Sequence, residues 1–299
     1  MRKTAPIILF AYNRPEHTKK TADSLQKNFL AQESEIFIFS DGPKSESDAV
    51  KVQEVRDYLK RISGLKKINI IERERNIGLA NSIISGVTEI INRCGKAVIM
   101  EDDLVSSQHF LEYMNDALDF YEKEEKVISI HGYIYPIKHS LKKKLPETFF
   151  LKGADCWGWA TWKRGWNLFE PDGGKLLREL EERNLFYEFD FDGSYPYSNM
   201  LRRQIAGQND SWAIRWYASA FLRGKLTMYP RESLIKNIGQ DNSGTHSGNS
   251  RAKDAAMAKE KIKISKIPTE ENMAARKILT KYFKSMKPGL IKRMISKIL

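Results

Sequence analysis

Short β-branched runs alternate with amphipathic stretches over the first hundred residues, and this alternation restricts the fold more than any other feature of the chain. Ile7 to Tyr12, Glu35 to Phe39, Ile68 to Ile71 and Lys96 to Met100 predict four strands. Between them, three segments predict helices: Pro15 to about Phe29, the stretch carrying Val50, Val55, Tyr58, Leu59 and Ile62 up to Gly64, and Ala80 to Asn92. Strands separated by helices build a parallel sheet flanked by helices, since a parallel neighbour is reached only by a crossover. In such open sheets ligands bind beyond the carboxyl ends of the strands. Here three strands run into polar clusters, Asn13-Arg14, Ser40-Asp41 and Glu101-Asp102-Asp103.

Beyond this region the pattern is less regular. Ser107 to Lys123 and Asp210 to Arg223 predict helices, and Val127 to His131, Phe149 to Lys152 and Leu226 to Tyr229 predict strands. Trp157 to Trp166 reads as an aromatic turn and helix, with Trp162 and Trp166 one turn apart as packing residues. Residues 236–250 contain three glycines and little to bury, which predicts a mobile loop. The resulting expectation is an α/β domain over 1–250, with 1–105 and 106–250 as its halves, followed by a basic helical tail over 251–299.

Composition sets outer limits. The 299 residues are 41% hydrophobic and 29% charged, which excludes a wholly disordered or a membrane-embedded chain. The apolar runs fall well below the roughly 18 residues of a spanning helix. Met1-Arg2-Lys3-Thr4 leads into a strand without a secretory h-region, so cytoplasmic residence is expected. Cys94 and Cys156 are too few for a disulfide framework or a zinc cluster. The net charge of +12 is concentrated at one end: residues 251–299 hold fourteen Lys or Arg against four acids. The body is nearly neutral, and nucleic acid is not an expected partner. From Arg276 to Leu299, basic residues interleave with Ile278, Leu279, Tyr282, Phe283 and Met286, among others. That pattern suits docking on an anionic membrane surface, such as the inner face of the cell membrane, with packing on the body as the alternative.

Glu101-Asp102-Asp103 directly follows the buried-strand run Ala97 to Met100. Adjacent carboxylates raise one another's pKa unless a cation neutralises them, and hard oxygen ligands suit Mg2+ or Mn2+. An idle acidic turn is the competing explanation. Four of the six tryptophans, Trp157, Trp159, Trp162 and Trp166, fall within ten residues. Trp157 and Trp159, beside Gly158, are candidate walls of a sugar site.

Tyr12-Asn13-Arg14, Ser40-Asp41 and Glu101-Asp102-Asp103 together resemble the nucleotide-sugar domain of GT-A fold glycosyltransferases. The likeness is greatest to the inverting N-acetylglucosaminyltransferase I type, whose metal motif is also Glu-Asp-Asp. Gly158-Trp159 resembles that family's Gly-Trp segment, Asn209-Asp210-Ser211-Trp212 its Asp-Asp-Trp segment, and residues 239–248 its donor-closing loop, in the same order along the chain. The resemblance implies that Asp41 reads the nucleotide base, that Arg14 lies near the base or phosphates, and that Tyr12 belongs to the nucleotide-sugar site. It further implies that Asp102 faces the ribose or a metal-bound water, that Asp103 holds the metal, and that Glu101 belongs to the same nucleotide-sugar site. Arg75, Asn76 and Asn81 resemble pocket-lining residues of related transferases, although helix-start geometry explains Asn76 and Gly78 as well. His246, in the loop, would touch metal or phosphate. Asp210 would be the general base, and an N-cap role competes for it. Ser211 stands where the family has a second acid, so Asp155 and Asp241 are alternative proton acceptors. The implied reaction moves a sugar, with inversion, from a nucleotide-sugar, preferably a UDP-sugar, to a glycan or lipid-linked acceptor. A sugar nucleotidyltransferase is disfavoured because Ile8 to Pro15 contains no glycine for a phosphate loop. A non-catalytic carbohydrate- or nucleic-acid-binding protein is the remaining rival.

Overall fold

The computed structural model describes residues 3–239, 241 and 256–286. The strands are β1 (Ile7–Ala11), β2 (Glu35–Ser40), β3 (Lys67–Glu72), β4 (Lys96–Glu101), β5 (Leu104–Ser106), β6 (Val127–His131), β7 (Thr148–Lys152), β8 (Trp159–Trp162), β9 (Leu226–Pro230) and β10 (Ile235–Asn237). The helices are α1 (Pro15–Gln26), α2 (Glu46–Leu59), α3 (Leu79–Cys94), α4 (Phe110–Phe120), α5 (His139–Lys142), α6 (Lys163–Trp166), α7 (Gly173–Glu182), α8 (Phe186–Phe189), α9 (Tyr197–Ile205), α10 (Trp212–Leu222) and α11 (Met273–Met286).

Eight strands form one sheet in the order β3-β2-β1-β4-β8-β6-β9-β7. The first four are mutually parallel, as the sequence predicts. In the second half, β8 runs antiparallel between β4 and β6, and β7 runs antiparallel to β9. β1 is apolar without interruption because both of its faces are covered. Ile7 and Leu9 pack with Leu25, Val55 and Leu59 on one face. Ile8 and Phe10 pack with Ile83, Val87 and Ile90 of α3 on the other. The chain leaves β1 toward β2 on one side and reaches β4 on the other. The carboxyl ends of β1 and β4 therefore flank the switch point where open sheets place ligands.

Two elements differ from the sequence reading. Trp159–Trp162 is a strand and not part of a helix: Trp159 faces the α3 side of the sheet while Ala160 and Trp162 face the other, a period of two. A position with sheet on both sides satisfies its backbone and buries its side chains, which outweighs the helical spacing of Trp162 and Trp166. The second is β5, three residues immediately after the acidic motif, paired antiparallel with β10. That pairing holds residues from the start of the predicted mobile loop in a ladder, and the rest of the loop, apart from Ile238, Gly239 and Asp241, lies outside the described residues.

The tail is resolved in favour of packing for its described part. Ala275, Ile278, Leu279 and Phe283 of α11 are buried against Ile137, Phe149, Leu151 and Tyr229. Arg276, counted in sequence as part of a basic face, is 3% exposed and paired with Asp192 and Glu271 at 2.8 and 2.9 Å. These apolar side chains are thus spent on the protein interior and do not form a membrane-facing stripe. Among the described residues no helix is long and apolar enough to cross a membrane.

Candidate active site

A cleft of about 1240 Å³ opens beyond the carboxyl ends of β1 and β4 and is lined by both halves of the sheet. One end of it is built around the acidic motif. Glu101 closes β4 opposite Phe10 of β1, and Asp102 and Asp103 follow on the turn into β5. Asp102 is 4% exposed. It accepts from the Tyr12 backbone N–H at 3.3 Å and from the Arg14 guanidinium, and its own carbonyl accepts from the Thr21 hydroxyl at 2.8 Å. Arg14 also reaches Asp103 at 3.1 Å. The sequence reading placed Arg14 near the base or phosphates, and the structure shows in addition that it is the counter-cation of the two aspartates. Two adjacent carboxylates, one buried and one partly so, need such a charge at one strand end.

The electrostatics follow from that arrangement. Burial, and then the neighbouring Asp103 and Asp102, push Glu101 up to about 8, against the opposing pull of Arg14. Burial likewise raises Asp102, with Arg14 opposing. For Arg14 burial disfavours the charge, but the two aspartates more than offset it and hold the guanidinium above its ordinary pKa. The corner is thus rich in carboxylate oxygen and short of positive charge.

The surrounding backbone is tied down by side chains. Tyr12 and Asn13 donate to Asp48, in the first turn of α2, at 3.0 and 2.8 Å. Those two bonds lower the Asp48 pKa. Ser45 caps the same helix by accepting from the Asp48 N–H. Asp48 escaped the sequence reading; the Ser45-Glu46-Ser47-Asp48 capping pattern was the available signal. Asp41 is 5% exposed and lines the cleft. Its carboxylate accepts from the Ile77 and Gly78 amides at 3.2 Å, fixing the entry to α3. Gly78 sits at φ +81, where a side chain is strained. Asn76 donates to the Gly42 carbonyl at 2.9 Å and also lines the cleft. Arg75 and Asn81 are exposed and do not line it; Asn81 donates back to Ile77 within its own helix start.

Asp210 lies on the cleft wall with its side chain 63% exposed, 3.9 Å from Arg215. It is not the N-cap of α10. Ser211 is, accepting from the Ile214 N–H at 3.3 Å. The cap expected of Asp210 is thus supplied by its neighbour, and the Asp210 carboxylate faces open space near Gly78.

Trp159 and Gly158 do not form a wall of the cleft. Trp159 is 1% exposed and stacks with Trp212 at 5.5 Å and near Trp166 and Trp216 at 5.8 Å. Gly158 packs beneath Ile235. The sheet position of β8 turns Trp159 into the core. Trp157 does line the cleft. Asp241, the other acid considered, pairs with His17 at 3.1 Å. His246 lies outside the described residues.

At the opposite end of the cleft, the sequence reading named Trp157 and Asp155 but none of the tyrosines around them. Asp155 lies there among Tyr135, Tyr195, Tyr197 and Trp157. Its carboxylate accepts from the Cys156 N–H at 2.8 Å and the Tyr229 hydroxyl at 3.4 Å, with His131 Nε2 3.8 Å away. His131 is fully buried and accepts the Trp157 N–H at 3.2 Å on that same nitrogen. Burial lowers its pKa, opposed by Asp155.

Among the described residues no three His, Cys, Asp or Glu side chains converge as a ready-made metal cage. A hard divalent cation of the Mg2+ type does not require one, since it is commonly held by one or two carboxylates together with substrate phosphates. Asp103, on the cleft wall with hard oxygen donors, fits that kind of site. Gly239 follows β10 so closely that any Cβ there would collide with the Asp103 carboxylate, and the Ile238 N–H donates to the Asp103 carbonyl at 2.8 Å.

An α/β sheet with its cleft at the switch point and an acidic motif at the tip of β4 defines the class, a GT-A type glycosyltransferase. Glycosyl transferase family 2 matches residues 7–182, more than half of the chain, and the chain belongs to that family. No curated protein matches it. Among solved structures, S. aureus TarS is similar at 18% identity, over 42% of this chain and 21% of that one, with a TM-score of 0.31. S. aureus TarS in complex with UDP is similar at 17% identity, over 45% and 36%, with a TM-score of 0.31. The mannosyltransferase PcManGT from Pyrobaculum calidifontis, in complex with GDP-Man and Mn2+, is similar at 9% identity, over 74% and 70%, with a TM-score of 0.40. This chain spans about a fifth and a third of the two TarS chains, and superpositions this loose contribute nothing to the assignments below.

Proposed function

We propose that the protein transfers a sugar, with inversion, from a nucleotide-sugar to a hydroxyl of a glycan or lipid-linked acceptor. Residues 1–105 hold the donor and 106–250 the acceptor. The observation that carries this reading is the acidic corner at the sheet's switch point, in a chain of glycosyl transferase family 2. Asp41 and Asn76 border the nucleotide, Tyr12 and Arg14 line its phosphate end, and Asp102 orders Tyr12 and Arg14 from beneath.

Asp103, with the donor's diphosphate oxygens, would hold Mn2+ or Mg2+, which supplies Lewis-acid stabilisation of the charge growing on the leaving group. The chain's own groups do the remainder. The acceptor hydroxyl attacks the anomeric carbon from the face opposite the diphosphate, its proton passes to the Asp210 carboxylate, and the carbon–oxygen bond to the diphosphate breaks. Support for Asp210 is its open, cleft-facing position and its freedom from capping duty. UDP is the nucleotide to test first. Peripheral attachment to an anionic membrane would rest on basic charge, since the apolar face of α11 is occupied by the body.

Titration calorimetry of the full chain with UDP-sugars, with and without Mn2+, tests the reading. Metal-dependent affinity for a nucleotide supports it. Indifference to every nucleotide, with salt-sensitive binding to DNA instead, would point to the non-catalytic alternative.

A further inference from the structure

The two ends of the cleft differ in chemistry, and the function above uses only the acidic one in detail. At the other end four aromatic rings converge on a single carboxylate. Tyr195 and Tyr197 lie 4.6 Å apart, Tyr197 hydrogen-bonds Tyr135, and Trp157 is joined to Tyr135 through Tyr133 at 4.7 and 5.4 Å. Each of the four lining rings is half-buried, with part of its surface on the cleft. Asp155, at the centre, has a side chain 22% exposed. Cys156, next to Asp155 on the cleft wall, also feels the charges of Glu101 and Asp103, so the two ends adjoin.

This corner is held more firmly than its loop connections require. Phe191, Asp192 and Gly193 take three successive left-handed backbone conformations at φ 52, 55 and 65 just before Tyr195. Such a run persists only where the surroundings impose it. The buried Arg276 of α11 does so, donating to Asp192 and to the Glu188 carbonyl and lying 4.6 Å over the Phe191 ring. Phe283 of α11 packs edge-on to Tyr135 at 4.8 Å and tilted against Tyr195 at 5.0 Å. The C-terminal helix thus sets the positions of two cleft-lining rings.

We infer that Tyr135, Trp157, Tyr195, Tyr197 and Asp155 form the acceptor subsite, and that it takes a pyranose ring of a glycan and not the phosphate of a lipid carrier. Aromatic faces stack on the apolar C–H faces of a pyranose, and a carboxylate with lone pairs to spare accepts from its hydroxyls. A phosphate would be repelled by Asp155 and by the acids next to it, and would lose hydration against the rings. The assignment of this end to the acceptor rests on the donor occupying the acidic end; the presence of a sugar-binding surface does not.

Saturation-transfer NMR on the full chain tests it, using the methyl glycosides of glucose, galactose, mannose and N-acetylglucosamine, and separately farnesyl phosphate, each with and without UDP and Mn2+. At least one glycoside should receive saturation on its ring protons in the wild type. Tyr195→Ala and Trp157→Ala should each weaken it by about tenfold, the scale of one lost stacking contact. Tyr195→Phe, which keeps the ring, should stay within about twofold of wild type on the same scale. Thermal melts and UDP affinity of each variant separate a lost subsite from a lost fold, and the two alanine variants are independent of one another. Absence of any glycoside signal, a signal unchanged in both alanine variants, or farnesyl phosphate binding that those variants abolish would overturn the inference. If glycosides bind as expected and no nucleotide does, the donor assignment fails and the sugar surface stands.

Discussion

The acidic and aromatic ends of the cleft are built in opposite ways. At the acidic end the key groups are consecutive residues at the tips of adjacent strands, Tyr12 to Arg14 after β1 and Glu101 to Asp103 closing β4, and the parallel ladder aligns them. At the aromatic end, Tyr135, Asp155 and Tyr195 come from separate loops, and the two tyrosines pack on α11, whose residues follow Tyr195 by about eighty positions. A site built by strand register tolerates distant change, whereas a site assembled by packing depends on whatever packs behind it.

The largest test of this contrast is Phe283→Ala. The side chain is 2% exposed. Its loss should cost about 3–5 kcal/mol in urea unfolding. UDP affinity measured on the folded fraction should remain within about twofold of wild type, because the acidic end does not lean on α11. A comparable collapse of donor binding would show that the two ends are one mechanical unit. Next in size, Asp210→Asn should lower turnover by about 100-fold while leaving donor affinity intact, the usual scale for a general base. Asp155→Asn is its counterpart at the other end and should act mainly through the acceptor KM; if the two results exchange places, the proton acceptor belongs to the aromatic end. Asp103→Ala should weaken nucleotide binding in Mn2+ by about tenfold or more and remove its metal dependence. Undiminished metal-dependent affinity would remove the cation from Asp103.

The smallest effect concerns His131, beneath the aromatic end. Burial holds its folded pKa below the ordinary value. The unfolded chain then binds the extra proton first, so stability is fully present above about pH 6.5 and falls as pH drops below it, by at most about 1.4 kcal/mol per pH unit. The pH dependence of the denaturation midpoint should be shallower in His131→Gln between pH 6.5 and 5, and an identical slope would show that groups other than His131 carry all of it.

The first four strands and three helices were legible because apolar runs covered on both faces leave an unambiguous pattern, and Pro15 marks a helix start. β8 was not, since Trp-Ala-Thr-Trp followed by Lys-Arg-Gly-Trp carries spacing compatible with either element, and only an open place between β4 and β6 decides for a strand. The acidic motif was legible, yet the pairing of Arg14 with its two aspartates was not. Charge pairing over 88 positions leaves no mark in local sequence. Trp159 shows the same limit, for a tryptophan beside a glycine looks alike whether it faces a sugar or a core. The C-terminal segment was read first as membrane-seeking, and its amphipathic face is real; its partner is the protein's own strand β7 and the tyrosines beside it.

What the residues determined alone was the parallel half of the sheet and the place where its acids emerge, because hydrophobic period and strand-end polarity are local properties. The tertiary structure decided which carboxylates are paired, which tryptophans are interior, and that Asp155 faces a wall of tyrosines. Those outcomes are set by contacts between residues far apart in the chain, whose energies exist only once the chain has folded.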